Sequence, residues 1–151
     1  MKTRIAALQM VSAPELAVNL EAARRLIAAA AAAGARLVAL PENFYLIGRH
    51  ETDKVSLREP DGRGPIQDFL SRSAREHRVW IVAGTVPISG SDDEHIRGAC
   101  LVYDDQGKRL TDTTLIGRCV QATRRMLTSP RICPRSCRRC SSQRIAPTTR
   151  G

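Results

Sequence analysis

Apolar residues in the first 110 positions follow two alternating patterns. Short continuous apolar runs occupy residues 4–10, 37–40, 79–87 and 99–103. Runs of this length are typical of buried strands. Between the first three runs, apolar residues recur every three or four positions, which is typical of one face of an amphipathic helix. The pattern therefore predicts strand, helix, strand, helix, strand, the order of an α/β layered fold.

Both predicted helices carry start signals. S-A-P-E at residues 12–15 has the form of a capping box, in which Ser12 and Glu15 each satisfy a free backbone N–H. Pro65, directly after Gly64, suits the first turn of the second helix. The apolar faces predicted for the two helices are Leu16, Leu20, Ala23, Ile27 and Ala30, and then Ile66, Phe69, Leu70 and Ala74.

Turns and loops complete the predicted order. Gly34 suits a left-handed stop after the first helix, and residues 89–94 read as an exposed loop. D-D-Q-G at 104–107 predicts a tight turn that returns the chain as a hairpin partner of the strand at 99–103. Because L-V-A-L at 37–40 is continuously apolar, we expect that strand to be covered on both faces.

Charge and cysteine divide the chain near residue 110. Residues 111–151 hold nine of the 24 basic residues and one of the 15 acidic residues, which leaves 15 and 14 before them. The same segment has four of the five cysteines, no aromatic residue and little periodicity. We therefore predict a folded domain over residues 1–110 and an irregular basic tail over 111–151.

No segment has the composition of a membrane span or a leader. The first apolar run is short and is interrupted by Gln9, so a first strand is a better interpretation than a signal peptide. Glu21, Arg24 and Arg25 interrupt the most apolar segment, whereas a span needs about 18 apolar residues. We expect a cytoplasmic protein without a membrane partner.

Glu42 is the candidate catalytic residue. It follows the predicted strand directly in R-L-V-A-L-P-E-N-F, and open α/β sheets place functional groups beyond the carboxyl ends of their strands. Burial at that point would raise the pKa of a carboxyl group toward the range of a general base. Alternatively, Glu42 caps a neighbouring loop or pairs with an arginine such as Arg49, and position alone does not decide between these roles.

An ordered series of segments within residues 3–110 resembles the amino-terminal half of the carbon-nitrogen hydrolase (nitrilase) superfamily, and most of all its Nit-type amidases. The segments are R-I-A-A-L-Q-M, N-L at 19–20, G-A-R-L-V-A-L-P-E-N-F, G-P-I-Q-D-F-L, V-W-I-V-A-G-T-V-P and A-C-L-V-Y-D-D-Q-G. The resemblance implies half of an α-β-β-α sandwich and a homo-oligomer for the intact fold. It also implies a small-molecule amide substrate, no cofactor, and Glu42 as the general base of a Glu-Lys-Cys triad.

The chemistry that the resemblance implies is acyl transfer. The glutamate activates a cysteine thiol, the thiolate attacks the amide carbon, ammonia leaves, and water hydrolyses the thioester. A lysine stabilises the charge that develops on oxygen. The family lysine lies in a K-I-H-L-F-like strand after the hairpin, where this chain reads L-T-D-T-T-L-I-G-R-C. Lys108 precedes that position by several residues and reads as a solvated turn residue.

The other candidate nucleophiles and ligands have structural interpretations. Cys100 lies inside A-C-L-V-Y, which is typical of a small buried apolar residue, and the family cysteine follows a later strand. His50, His77 and His95 are scattered without metal-ligand spacing, so surface or cap roles are expected for all three.

The tail offers two rival functions. Cys133, Cys137 and Cys140 have a C-x3-C-x2-C spacing found at iron-sulfur sites, and Cys119 could add a fourth thiolate for zinc. Arginines in place of turn glycines disfavour a metal site. The nine arginines could bind nucleic acid, but without an aromatic residue such binding would be purely electrostatic and salt-sensitive, and we do not expect it.

A change of reading frame explains the division near residue 110. The hydrolase pattern stops there, and the Arg, Cys, Ser, Pro and Thr bias that follows is typical of a GC-rich gene read out of frame. Our hypothesis is a frameshifted, truncated hydrolase that retains its base but lacks the lysine and cysteine, and is therefore inactive.

Overall fold

The computed structural model describes residues 3–50, 52–90 and 96–114. Residues 115–151 of the predicted tail, its four cysteines, His95 and most of the predicted loop at 89–94 lie outside these residues. The described elements are β1 (Ile5–Ala7), α1 (Leu16–Ala32), β2 (Leu37–Ala39), α2 (Asp53–Ser56), α3 (Pro65–His77), β3 (Trp80–Ser89), β4 (Ile96–Tyr103) and β5 (Arg109–Thr114). Every strand and helix predicted from the apolar pattern is present, and α2 is a short addition within the polar loop.

The five strands form one mixed sheet in chain order, β1-β2-β3-β4-β5. β1, β2 and β3 run parallel, while β4 and β5 are antiparallel to their neighbours. Helices α1 and α3 are the crossovers between the parallel strands, and successive right-handed crossovers in one direction place both helices on the same face. The α/β fold is therefore confirmed, with both helices in a single layer.

The core lies between that helical layer and the sheet. Helix α1 packs on α3, and α3 packs on β3 and β4. Val38, Ile81 and Leu101 are fully buried on the sheet, opposite Ile27 of α1 and Leu70 of α3. Successive side chains of a strand point to opposite faces of the sheet. Half of each apolar run therefore lies in this core, and the other half lies on the opposite face.

The opposite face of the sheet has no covering layer among the described residues. Ile5 is 64% exposed and Trp80 is 41% exposed on it, and Leu37, Val82 and Val102 are only half-buried. The expectation that residues 37–40 are covered on both faces is therefore not met within the described part of the chain. This exposed apolar surface will be called the open face.

The predicted capping box is wrong. Helix α1 begins at Leu16 with Glu15 as its extended N-cap residue, and no side chain bonds the free N–H groups of its first turn. The Ser12 hydroxyl donates instead to the Phe44 carbonyl oxygen at 3.4 Å. The helix end agrees with prediction, since Gly34 has a left-handed φ of 83°.

Helix α3 begins as predicted and has an additional cap. Gly64 is its N-cap residue and Pro65 its first residue. The carboxylate of Glu59, 3% exposed, accepts hydrogen bonds from the Ile66 N–H and from the Gln67 N–H at 3.1 Å. A buried negative charge at a helix N-terminus is stabilised by free N–H groups and by the helix dipole.

The predicted hairpin turn at 104–107 joins β4 to β5. The Asp104 side chain accepts from the Lys108 N–H at 2.8 Å, and Gly107 has a left-handed φ of 76°. The Ser71 hydroxyl of α3 donates to the Gly107 carbonyl at 2.7 Å, which fixes the turn against the helical layer. Strand β5 continues to Thr114 and pairs with β4 throughout, so the irregular structure predicted from residue 111 is wrong for residues 111–114.

Candidate active site

Glu42 lies in a turn that follows β2. Residues 42–45 form the turn, with Asn43 in the left-handed region at φ 57°. Pro41 fixes the backbone before it, and asparagine tolerates the left-handed conformation better than most residues. The Leu46 N–H donates to the Asn43 carbonyl at 3.1 Å and closes the turn.

Strand β3 holds the beginning of this turn. The Leu40 N–H donates to the Val82 carbonyl at 2.9 Å. Gly84 follows Val82 by two residues in β3, and its backbone lies directly against the turn. A methyl group added to Gly84 would lie 2.3 Å from the Pro41 carbonyl oxygen and 2.8 Å from the Glu42 nitrogen. Only glycine leaves room for this approach, because a real Cβ atom essentially never comes within 3.0 Å of such backbone atoms.

A β-bulge lies at the same place. The pairing of β3 with β4 shifts by one residue between Ala83 and Val86, so Gly84 and Thr85 are the bulged pair. Bulges bend a strand and occur often beside active sites. Here the bulge brings the β3 backbone against the residues on either side of the Pro41–Glu42 bond.

Helix α1 and the segment before it hold the end of the turn. Asn19 is 1% exposed, and its Nδ2 donates to the Tyr45 carbonyl at 2.7 Å and to the Ala13 carbonyl at 2.8 Å. Its Oδ1 accepts from the Ala13 N–H at 2.7 Å. The Ile47 N–H also donates to the Ala13 carbonyl, at 3.2 Å. These bonds tie three parts of the chain together around one buried amide.

The side chains that follow Glu42 are buried. Phe44, Tyr45 and Leu46 are at most 2% exposed, and the rings of Phe44 and Tyr45 meet edge to face with centroids 6.0 Å apart. Edge-to-face pairs of this kind add to the stabilisation that burial provides. The turn therefore has a fixed apolar base, and Glu42 lies on its outer side.

The Glu42 side chain itself is exposed, so the expected burial is not found. Among the described residues the Glu42 carboxylate has no hydrogen-bond or ion-pair partner, and the alternative pairing with Arg49 is absent. The backbone N–H of Arg49 donates to Asp53 Oδ2 at 2.8 Å. The Tyr45 phenol lies close enough to interact electrostatically with the Glu42 carboxylate. Burial, together with the Glu42 carboxylate, raises the pKa of Tyr45 to about 12.

Lys108 lies at the other end of the sheet. Tyr103 pairs with Ile81 near the amino end of β3, and the turn that holds Lys108 continues beyond that pair. Glu42 lies level with Gly84, so the two side chains are separated by about 10 Å along the strands alone. Lys108 is exposed, as expected of a turn residue, and does not reach the Glu42 turn.

Cys100 is a half-buried residue of β4. It lies two strands away from β2, a separation of about 10 Å, whereas a nucleophile and its base need contact at about 3 Å. Burial raises the pKa of the Cys100 thiol, which disfavours the reactive thiolate. Cys100 is thus less buried than its sequence context predicted, and we assign it no catalytic role.

The histidines that can be placed lie apart from Glu42. His50 is exposed in the loop before α2, and His77 is the last residue of α3. Over the described ranges, no group of three or more His, Cys, Asp or Glu side chains could hold a metal ion. In the same part of the chain, no helix combines the length and apolarity that crossing a membrane requires.

Comparison with known proteins decides the family. The family model of carbon-nitrogen hydrolases matches residues 4–126. The chain belongs to the carbon-nitrogen hydrolase family. The match begins at β1 and extends past β5, so it includes all the elements that hold Glu42.

Two curated relatives of this chain are named as amidases. Deaminated glutathione amidase from Synechocystis sp. (strain PCC 6803 / GT-S) is 38% identical over 99 residues, covering 64% of this chain and 36% of that protein. Deaminated glutathione amidase from Homo sapiens is 33% identical over 90 residues, covering 60% and 27%. The chain thus spans about a third of the length of the curated relatives it matches.

Solved structures confirm the nitrilase-like fold of the described residues. The C. elegans NitFhit protein superposes with a TM-score of 0.66 at 27% identity, covering 73% of this chain and 27% of that one. Saccharomyces cerevisiae Nit3, a member of the nitrilase superfamily, gives 0.61 at 23% identity over 68% and 40%. An amidase from Nesterenkonia sp. gives 0.63 at 22% identity over 74% and 42%.

Sequence reasoning placed Glu42 but missed the residues that hold it. Asn19 interrupts the apolar face between Leu16 and Ala23, and a polar residue at such a position indicates a buried hydrogen-bonded group. Gly84 lies alone inside an apolar strand, which indicates a bulge or a close backbone approach. Both signals were present, but their partner, the Glu42 turn, is distant in sequence.

Proposed function

We propose that Glu42 is the general base of an amidase-type carbon-nitrogen hydrolase that cleaves a small linear amide by Glu-Lys-Cys acyl transfer. The observation that carries this proposal is the turn after β2, which holds an exposed carboxylate beyond the carboxyl end of a parallel strand in a member of this family. Both curated relatives described above are amidases, which supports an amide as the substrate class.

In this mechanism Glu42 acts on a thiol and not directly on the amide. It takes the proton from the cysteine sulfur, the thiolate bonds to the amide carbon, and the nitrogen leaves as ammonia after receiving a proton. Glu42 then takes a proton from water, whose oxygen attacks the thioester carbon and releases the acid. The exposed carboxylate leaves room for a thiol and a substrate, whereas a carboxylate already bonded within the fold would not.

We also propose that the 151-residue chain alone does not complete this reaction. Neither Lys108 nor Cys100 reaches the Glu42 turn, and residues 109–126 of the family match contain no lysine. A base contributes about 100- to 10,000-fold, but it forms no acyl intermediate without a nucleophile. A frameshift near codon 110 is our explanation for the missing residues.

Two experiments test the proposal. Ammonia release from short ω-amides and deaminated-peptide amides should be undetectable for the 151-residue chain, both with Glu42 and with Glu42→Gln. If the DNA in another frame after codon 110 encodes a K-I-H-L-F-like strand and a later cysteine, the restored protein should hydrolyse amides, and Glu42→Gln should abolish turnover. Amide hydrolysis by the chain as it stands, stopped by mutation of one of its cysteines, would contradict the proposed inactivity.

A further inference from the structure

Asn19 is a buried amide whose hydrogen bonds all go to backbone groups outside its own helix. Two of its partners belong to Ala13 and the third to Tyr45, which is 26 residues away. An asparagine on a buried helix face is costly unless its polar atoms are bonded. Here both N–H groups of the amide are used, and the bonds are 2.7 to 2.8 Å long.

We propose that Asn19 is a positioning residue for Glu42, a role that rests on the proposed function of Glu42 as a base. The Tyr45 carbonyl belongs to the same turn as Glu42, and the Asn19 amide fixes it to the start of helix α1. Asn19 makes no contact with Glu42 itself. It acts through the backbone, by holding the end of the turn that carries the carboxylate.

The turn needs the Asn19 hydrogen bond at Tyr45 because strand β3 holds only the beginning of the turn. β3 fixes Leu40 by a hydrogen bond and Pro41 by the close approach of Gly84. Beyond Pro41, Asn43 is in a left-handed conformation that the backbone does not favour by itself. The hydrogen bond at Tyr45 holds the other end of the turn, so the backbone is attached to the fold on both sides of Glu42.

The Ala13 carbonyl extends the attachment to the residues after the turn. It accepts from the Asn19 amide at 2.8 Å and from the Ile47 N–H at 3.2 Å. Loss of the Asn19 side chain would therefore leave the Tyr45 carbonyl without its buried donor and loosen the Ala13 segment on which Ile47 depends. The effect should be local to the turn, because α1 keeps its contacts through Ala23 and Ile27.

Asn19→Ala in the 151-residue chain tests the proposal by NMR. The measurements are hydrogen exchange at the Leu46 and Ile47 amides and the ¹³C resonance of the Glu42 carboxyl, which is assigned by its absence in Glu42→Gln. We expect exchange at both amides to accelerate at least about tenfold more than at the β3 and β4 amides, because opening is local. We also expect the Glu42 carboxyl resonance to shift.

Gln67→Ala is the matched control. Gln67 is likewise a buried amide, 3% exposed, and its Nε2 donates to the carbonyls of Pro60 and Arg63 at 2.9 Å. Its loss should destabilise the loop before α3 to a similar degree while leaving the Glu42 resonance and the Leu46 amide unchanged. Asn19→Asp is the second variant in case the alanine variant does not fold, since it keeps the acceptor for the Ala13 N–H and loses both donors.

Two outcomes would overturn the proposal. One is an equal acceleration of exchange at the turn amides and at the β3 and β4 amides, which would make Asn19 a residue of global stability. The other is a Glu42 resonance that moves no more in the Asn19 variants than in Gln67→Ala. Neither readout depends on amide hydrolysis, so failure of the proposed activity and failure of this role are distinguishable.

Discussion

The chain has two tyrosines, and both should make its stability fall in alkali. Tyr45 is 1% exposed and Tyr103 is 4% exposed. Burial, with the nearby Glu42 charge, raises the pKa of Tyr45 to about 12, and burial is also the main cause that raises the pKa of Tyr103 to about 12. The ordinary value for each is 10.0.

Stability falls with rising pH because the unfolded chain loses its phenol protons at a lower pH than the folded chain does. Above pH 10 the unfolded chain releases the phenol protons while the folded chain keeps them, so rising pH favours unfolding until the folded groups titrate near pH 12. Two pKa units correspond to about 2.7 kcal/mol for each tyrosine, or about 5 kcal/mol for both. This equals the whole stability of many small domains, so we expect unfolding within this pH range.

Urea unfolding followed by Trp80 fluorescence measures the effect. The free energy of unfolding should decline by about 1.4 kcal/mol per pH unit for each tyrosine, and Tyr45→Phe or Tyr103→Phe should halve the decline. Other groups that titrate in alkali, such as the Cys100 thiol, cancel in the comparison of variants. In the Tyr103→Phe background, Glu42→Gln should lower the pKa of Tyr45, because it removes a nearby negative charge. An unchanged slope in both phenylalanine variants would refute the reasoning.

Three further predictions concern packing. Gly84→Ala should destabilise the chain by about 1–3 kcal/mol in urea unfolding, because its methyl group overlaps the backbone before Glu42, whereas Gly98→Ala, which meets only a side-chain methyl, should cost less. Glu59→Ala should cost about 1–3 kcal/mol by leaving N–H groups of α3 unpaired. Glu21→Ala, in an exposed ion pair, should leave the urea midpoint nearly unchanged. We expect the uncovered open face to make the chain self-associate, so Trp80→Lys should give a smaller mass in sedimentation at equal concentration; equal masses would contradict this expectation.

The sequence predicted the order of the elements because each depended on local pattern. Continuous apolar runs became strands, a three-four spacing became helices, and the glycines at 34 and 107 took the left-handed conformations that end a helix and close a hairpin. These features need only the preferences of a short stretch of chain. The position of Glu42 just after β2 was predictable for the same reason.

The details that failed depended on distant residues. The capping box at 12–15 was lost because the Ser12 hydroxyl bonds to Phe44, and Asn19 takes the Ala13 N–H. A local motif cannot indicate such a competitor. The exposure of Glu42 was missed for a similar reason, since burial is decided by whatever covers the turn and not by the strand before it.

The order of the sheet also bears on synthesis. Each strand from β2 to β5 pairs with the strand that precedes it in the chain. No strand has to be inserted later between two strands that are already paired. The β1-α1-β2 unit leaves the ribosome first and can form first, and β3 then pairs with β2 beside the Glu42 turn. Chain growth therefore extends the sheet at one edge, and the residues that hold the Glu42 turn, on α1 and β3, are all translated before β4 and β5.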